Sequence, residues 1–175
     1  MDGVVSPTEL RRRAARVRLV VTDVDGVLTD AGVYYSERGE ELKRFNVRDG
    51  MGVELLRNAG IDTGILTRES SGAVVARARK LHLDHVWVGV IDKRAHLDVV
   101  LRDTRRAISE IAYIGDDVND LGVLEAVRVE GLAGCPADAM PQVAGLVHFK
   151  TTARGGHGAF REFADWIIKL RGDAP

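Results

Sequence analysis

The chain has 175 residues, about the length of one domain. Its 25 Lys and Arg against 26 Asp and Glu, with 45% hydrophobic and 29% charged residues, exclude a disordered chain, a collagen-like chain and a polybasic nucleic-acid-binding arm. One cysteine, Cys135, excludes an internal disulfide framework and a cysteine-rich zinc site, and no apolar run approaches the ~18 residues of a membrane span.

Residues 1–16 read as a polar lead-in with a short helix over 7–16. The arginines there lack the apolar core and small-residue cleavage site of a secretory signal, so a cytoplasmic protein is expected. From there two patterns alternate. β-Branched apolar runs predict strands over 18–24, 61–66, 85–90, 111–114 and 146–149. Helical spacing predicts helices over 51–59, 71–83 and 93–105, with stripes such as Val74, Val75, Ala78 and Leu81, and a last helix after the glycines at 155–158. Gly60 ends the first of these as a C-terminal cap. The alternation predicts an α/β fold, a single doubly wound parallel sheet with helices on both faces, over 17–171. Residues 31–46 break it. Val33 to Tyr35, a polar Ser-Glu-Arg-Gly, then Glu41 to Phe45 predict a β-hairpin inserted after the first strand.

Two acidic clusters carry the chemistry. In VVTDVDG, Asp23 and Asp25 stand two apart where the first strand runs out, so both carboxylates face one side, and Gly26 permits a sharp turn. In YIGDDVND, Asp116, Asp117, Asn119 and Asp120 follow another short strand. If those strands are neighbours, up to five carboxylates meet in the crevice at the strand ends. Such repulsion calls for a hard divalent cation, Mg²⁺ by preference. An Asp can attack phosphorus, and a second carboxyl two residues on can protonate the leaving oxygen. Thr67 closes the strand IDTGILT and Lys93 follows VGVID, a hydroxyl and an ammonium suited to a phosphoryl group. Each motif alone reads as a solvated turn or a cap; their order, each at a strand end, favours catalysis.

With these motifs the sequence resembles the phosphatases of the haloacid dehalogenase superfamily: DVDGVLTD, Thr67, Lys93 and GDDVND are similar to its four motifs, over about 18–170. DVDGVLTDAGVYYSERGEELKRFNVRDGMG and RGGHGAFREF resemble its capless branch, the 3-deoxy-octulosonate 8-phosphate and nonulosonate 9-phosphate phosphatases. The resemblance implies Asp23 as nucleophile and Asp25 as general acid/base. It implies Mg²⁺ held by the carboxylates of Asp23 and Asp116 and the backbone carbonyl of Asp25, with Thr67 and Lys93 on the phosphoryl group. Asp117, Asn119 and Asp120 would orient metal-bound waters and Lys93.

The resemblance also implies a homotetramer in which hairpins of different subunits pack together; a hairpin folded onto its own domain is the alternative. After Thr67 the chain reads Arg68-Glu69-Ser70, where the octulosonate group carries Gly-Arg. Glu69 resembles the nonulosonate group, where it helps recognise the sugar, whereas Arg68 departs from both groups; both are candidates for substrate contact. Glu69 as a helix cap is the plainer reading. Arg48 and Arg154 are candidates for a substrate carboxylate, or solvated.

His82, His85, His96 and His148 show no metal spacing, and His157 is read as surface or cap. A phosphoacceptor signalling domain uses the same residue types, but its acidic pair precedes the phosphorylated Asp, the reverse of the order here. No membrane or nucleic-acid partner is expected.

Overall fold

A strand with apolar side chains on both faces must be covered on both, and β1 (Leu19–Thr22) is buried at every position. In the computed structural model, which describes residues 5–172, β1 lies at the centre of a six-stranded sheet. On one side it pairs with β4 (Asp62–Leu66), which pairs with β5 (His85–Trp87). On the other it pairs with β6 (Ile111–Ile114), followed by β7 (Leu132–Cys135) and β8 (Phe149–Lys150). Every pairing in this sheet is parallel. The chain moves outward from β1 in both directions, so the sheet is doubly wound and its order reverses at β1.

The strand side chains alternate between two cores. Val20, Ile65 and Ala112 face helices α1 (Pro7–Arg16), α2 (Val47–Asn58), α3 (Gly72–Lys80) and α7 (Ala159–Arg171). Leu19, Val21, Leu66 and Tyr113 face α4 (Lys93–Thr104), α5 (Leu121–Glu130) and α6 (Pro141–Ala144). The helix over 7–16 belongs to the packed structure: Ala14 is buried, and Arg13 donates to the backbone oxygens of Arg128 (2.7 Å) and Gly131 (3.3 Å).

Several boundaries differ from the sequence expectations. The strand expected over 85–90 is confined to His85–Trp87, and the one expected over 146–149 is displaced to Phe149–Lys150. The helix expected from 51 starts at Val47, capped by the Asn46 side chain accepting from Arg48 N. β7 was not expected: its sequence, LAGC, lacks the bulk of a strand run. The inserted hairpin is present as a separate antiparallel pair, β2 (Tyr34–Ser36) and β3 (Gly39–Leu42).

Candidate active site

The site forms where the strand order reverses. Asp23 follows β1, and its backbone N–H donates to Ile114 O at 3.0 Å, holding the end of β1 to β6. The chain then turns tightly, with the N–H groups of Val27, Leu28 and Thr29 all donating to Val24 O. Gly26 has φ +86°, and a Cβ there would lie 1.9 Å from Asp116 Oδ2, so the turn brings the backbone against the Asp116 carboxylate. The same turn is backed by 155–158: a Cβ on Gly155 would overlap Gly26 O at 1.9 Å.

Asp23, Asp25, Thr67, Arg68, Glu69, Asp116, Asp117 and Asn119 line one cleft of about 160 Å³, with Ala31. Carboxylate oxygens of Asp23, Asp116 and Asp120 lie within 4.8 Å of one another. Lys93, at the start of α4, sits among them fully shielded, 2.7 Å from Asp23 Oδ2 and 2.7 Å from Asp120 Oδ1. Asp120 also accepts from Tyr113 OH (2.6 Å) and from the backbone N–H groups of Asp116 (2.9 Å) and Asp117 (3.3 Å). Those four bonds fill both oxygens of a carboxylate. Asp120 therefore orients Lys93 and the 116–117 backbone rather than offering a ligand atom. Among the described residues, Asp23 accepts only from Lys93 and from Val24 N–H (2.7 Å), and Asp116 Oδ1 is buried without a partner.

A hard cation fits this donor set: two carboxylates with open lone pairs, crowded and short of positive charge. Burial, then the charge of Asp120, pushes the Asp23 carboxyl up to about 7, against the opposing pull of Lys93. Burial, then Asp23, Asp120 and Asp117, pushes Asp116 up to about 8. Burial works against the Lys93 ammonium, but Asp23 and Asp120 outweigh it and its pKa is raised, so it stays charged.

Thr67 is buried at the end of β4, with its Oγ1 accepting from Glu69 N–H at 3.4 Å. Arg68 and Glu69 are exposed on the cleft wall. The N-cap position of α3 belongs to Ser71, and no side-chain capping bond is made there. Asp117 caps the turn over Val118–Asp120, accepting from Val118 N–H, and Asn119 Oδ1 is buried and unpartnered among the described residues.

Two candidates lie outside the cleft. Arg154 pairs with Asp138 at 3.1 Å and lines a neighbouring depression of about 500 Å³ with Asp30, Tyr34 and His157. Arg48 is exposed in the first turn of α2 and does not line the cleft. His157 is exposed, its Nδ1 2.8 Å from Gly155 O; the N-cap position of α7 belongs to Gly158, so His157 is a surface residue and not its cap.

Three participants escaped the sequence reading: Tyr113, Lys43 and Glu40. The hydroxyl in the otherwise apolar strand IAYI was a usable sign for the first. Lys43 Nζ donates to Asp25 Oδ1 at 2.6 Å and lies 3.3 Å from Glu40 Oε2. No local spacing links Lys43 to Asp25.

No family model matches the chain. It is 40% identical over 157 residues to the 3-deoxy-D-manno-octulosonate 8-phosphate phosphatase KdsC of Yersinia pestis, covering 90% of this chain and 82% of that one. It superposes with TM-score 0.88, at 33% identity, on the same-named phosphatase of Moraxella catarrhalis in complex with magnesium, phosphate and KDO, covering 95% and 94% of the two chains. The cobalt-bound octulosonate phosphatase of Haemophilus influenzae gives TM-score 0.86 at 34% identity, covering 91% and 92%. With this fold, and with its acidic cluster at the point where the strand order reverses, the chain belongs to the haloacid dehalogenase superfamily, among the phosphatases of the KdsC family.

Proposed function

We propose that this chain hydrolyses the phosphomonoester of an eight- or nine-carbon keto-sugar acid through an aspartyl-phosphate intermediate on Asp23. The convergence of Asp23, Asp25, Thr67 and Asp116 on one cleft, with Lys93 bound to Asp23, carries this reading. Asp23 attacks phosphorus, the bond to the sugar oxygen breaks, and Asp25 gives that oxygen its proton. Asp25 then takes a proton from the water that attacks the phosphoryl group, and Asp23 is restored. Lys93 and Thr67 balance the charge on the transferring oxygens. The carboxylates of Asp23 and Asp116 and the backbone carbonyl of Asp25 would hold Mg²⁺, which when bound supplies positive charge among these carboxylates and the phosphate. The magnesium, phosphate and KDO in the Moraxella catarrhalis relative support this assignment.

Within that class we favour the nine-carbon acid, because the exposed Glu69 carboxylate stands on the cleft wall as an acceptor for sugar hydroxyls. The chain works as a homotetramer in this reading, since the hairpin exposes Val33, Tyr34, Tyr35 and Leu42.

The test is phosphate release from octulosonate 8-phosphate, nonulosonate 9-phosphate and hexose phosphates. The nonulosonate is expected to give the highest kcat/KM, EDTA to silence turnover and Mg²⁺ to restore it. Asp23→Asn is expected to lower kcat by ~10⁴-fold or more while the fold survives. A flat profile would remove the sugar-acid assignment. Full turnover without metal, or near-normal turnover by Asp23→Asn, would remove the mechanism.

A further inference from the structure

The hairpin withdraws one charge from solvent. The Lys43 side chain, just after β3, is fully shielded, although Leu42 and Arg44 on either side of it are exposed. An enclosed ammonium is unfavourable unless it is paired, and here two carboxylates pair it. Asp25 Oδ1 accepts from Lys43 Nζ at 2.6 Å, and Glu40 Oε2 lies 3.3 Å away. Glu40 Oε1 in turn accepts from Ser71 Oγ. Ser71 occupies the N-cap position of α3 yet makes no capping bond, so its hydroxyl serves the hairpin. Asp25, Lys43, Glu40 and Ser71 thus form a chain of contacts across the cleft, from the turn after β1 to the loop after β4.

The terminal torsion of an Asp side chain is broad, so an unclamped carboxylate samples many orientations. Asp25 Oδ1 is clamped, with Thr29 Oγ1 a further 3.4 Å contact, while Oδ2, on a residue that lines the cleft, is buried without a partner among the described residues. We propose that Lys43 is a positioning residue: from the hairpin it holds Oδ1 of Asp25 so that Oδ2 is the oxygen presented to the leaving group. This rests on the reading of Asp25 as the general acid/base. It makes the hairpin part of the catalytic apparatus of its own subunit.

The experiment compares leaving groups. A sugar alkoxide needs a proton in order to leave; p-nitrophenolate does not. The parameter kcat/KM reports only the steps up to release of that group, so the later attack of water does not enter. Lys43→Met is expected to lower kcat/KM by ~10–100-fold for the best alkyl phosphate of the panel. For p-nitrophenyl phosphate the expected loss is under about threefold, because a proton donor contributes little there. Added to Asp25→Asn, Lys43→Met should cost the alkyl phosphate nothing more, as expected of residues acting as one unit. Equal losses on both substrates, or losses that multiply with Asp25→Asn, overturn the proposal. If Asp25→Asn alone shows no dependence on the leaving group, the acid/base reading fails first, and visibly. Should Lys43→Met not fold by circular dichroism, Lys43→Gln carries the same comparison. Failure of both to fold would leave Lys43 a structural tether and overturn the positioning role.

Discussion

Tyr113 is fully buried in β6 with its hydroxyl donating to Asp120 Oδ1 at 2.6 Å. Burial, then the nearby Asp120 and Asp23, holds its pKa well above the ordinary phenol value, so it stays a neutral donor. Hydrogen bonds to a charged group contribute about 1.5–3 kcal/mol. Tyr113→Phe should therefore lower unfolding stability by about 2 kcal/mol, read as an earlier urea midpoint with an unchanged slope. An unchanged midpoint would show that Lys93 and the backbone amides satisfy Asp120 without it. The contrast with Asp23 and Asp25 explains what was legible in the sequence at this scale. A D-x-D pair declares itself because two residues of extended chain face one way. The contacts of Tyr113 and Lys43 form only through folding: Tyr113 reaches Asp120 across 7 positions and Lys43 reaches Asp25 across 18. Arg154 is a candidate by type alone, and in the structure it pairs with Asp138 at the surface and lines the neighbouring depression.

At the scale of elements, the fold class and the central strand followed from the alternation of apolar runs, whereas β7 did not. Its Gly134 faces α7, where a Cβ would lie 2.5 Å from the Phe163 ring, so the strand gives up bulk to admit an aromatic from the helix. That small-for-large exchange erases the apolar signal a strand normally carries. The hairpin was legible as an element, but its surroundings were not. Phe45, beyond its second arm, packs against the core and lies 5.7 Å beneath the Arg77 guanidinium. Tyr34, Tyr35 and Leu42 remain 60%, 71% and 64% exposed. Three large apolar residues on one short ribbon are expected to be covered by another subunit. Light scattering should give a mass near four times the 19.1 kDa chain, and Tyr35→Asp should shift it toward the monomer. A wild-type chain already at monomer mass would refute the assembly.

The whole molecule carries a net charge of −1, but its acidic groups are unevenly placed, and the crowding in the cleft sets how stability responds to pH. Asp23 and Asp116 are pushed up to about 7 and about 8 in the folded chain, above their unfolded value, so the metal-free fold holds protons that the unfolded chain has released. The stability they contribute is fully present below the unfolded carboxyl pKa, near 4, and is lost as pH rises through about 7 and 8. His148 acts in the opposite sense. It accepts from Ala133 N–H at 3.0 Å, and burial, then Arg13 and Arg128, pushes it down to about 4. Its contribution is present above about 6.5 and lost as pH falls through about 4. Between those limits two carboxyls oppose one imidazole, so the carboxyls decide the slope: the metal-free protein should melt at a lower temperature at pH 8.5 than at pH 6. In the proposed site Mg²⁺ would bind the ionised carboxylates in competition with their protons, so it should raise the melting temperature more at pH 8.5 than at pH 6. Thermal melts with EDTA and with excess Mg²⁺ at the two pH values check both statements. Equal Mg²⁺ shifts at both would mean that Asp23 and Asp116 are not the groups that give up protons to the metal.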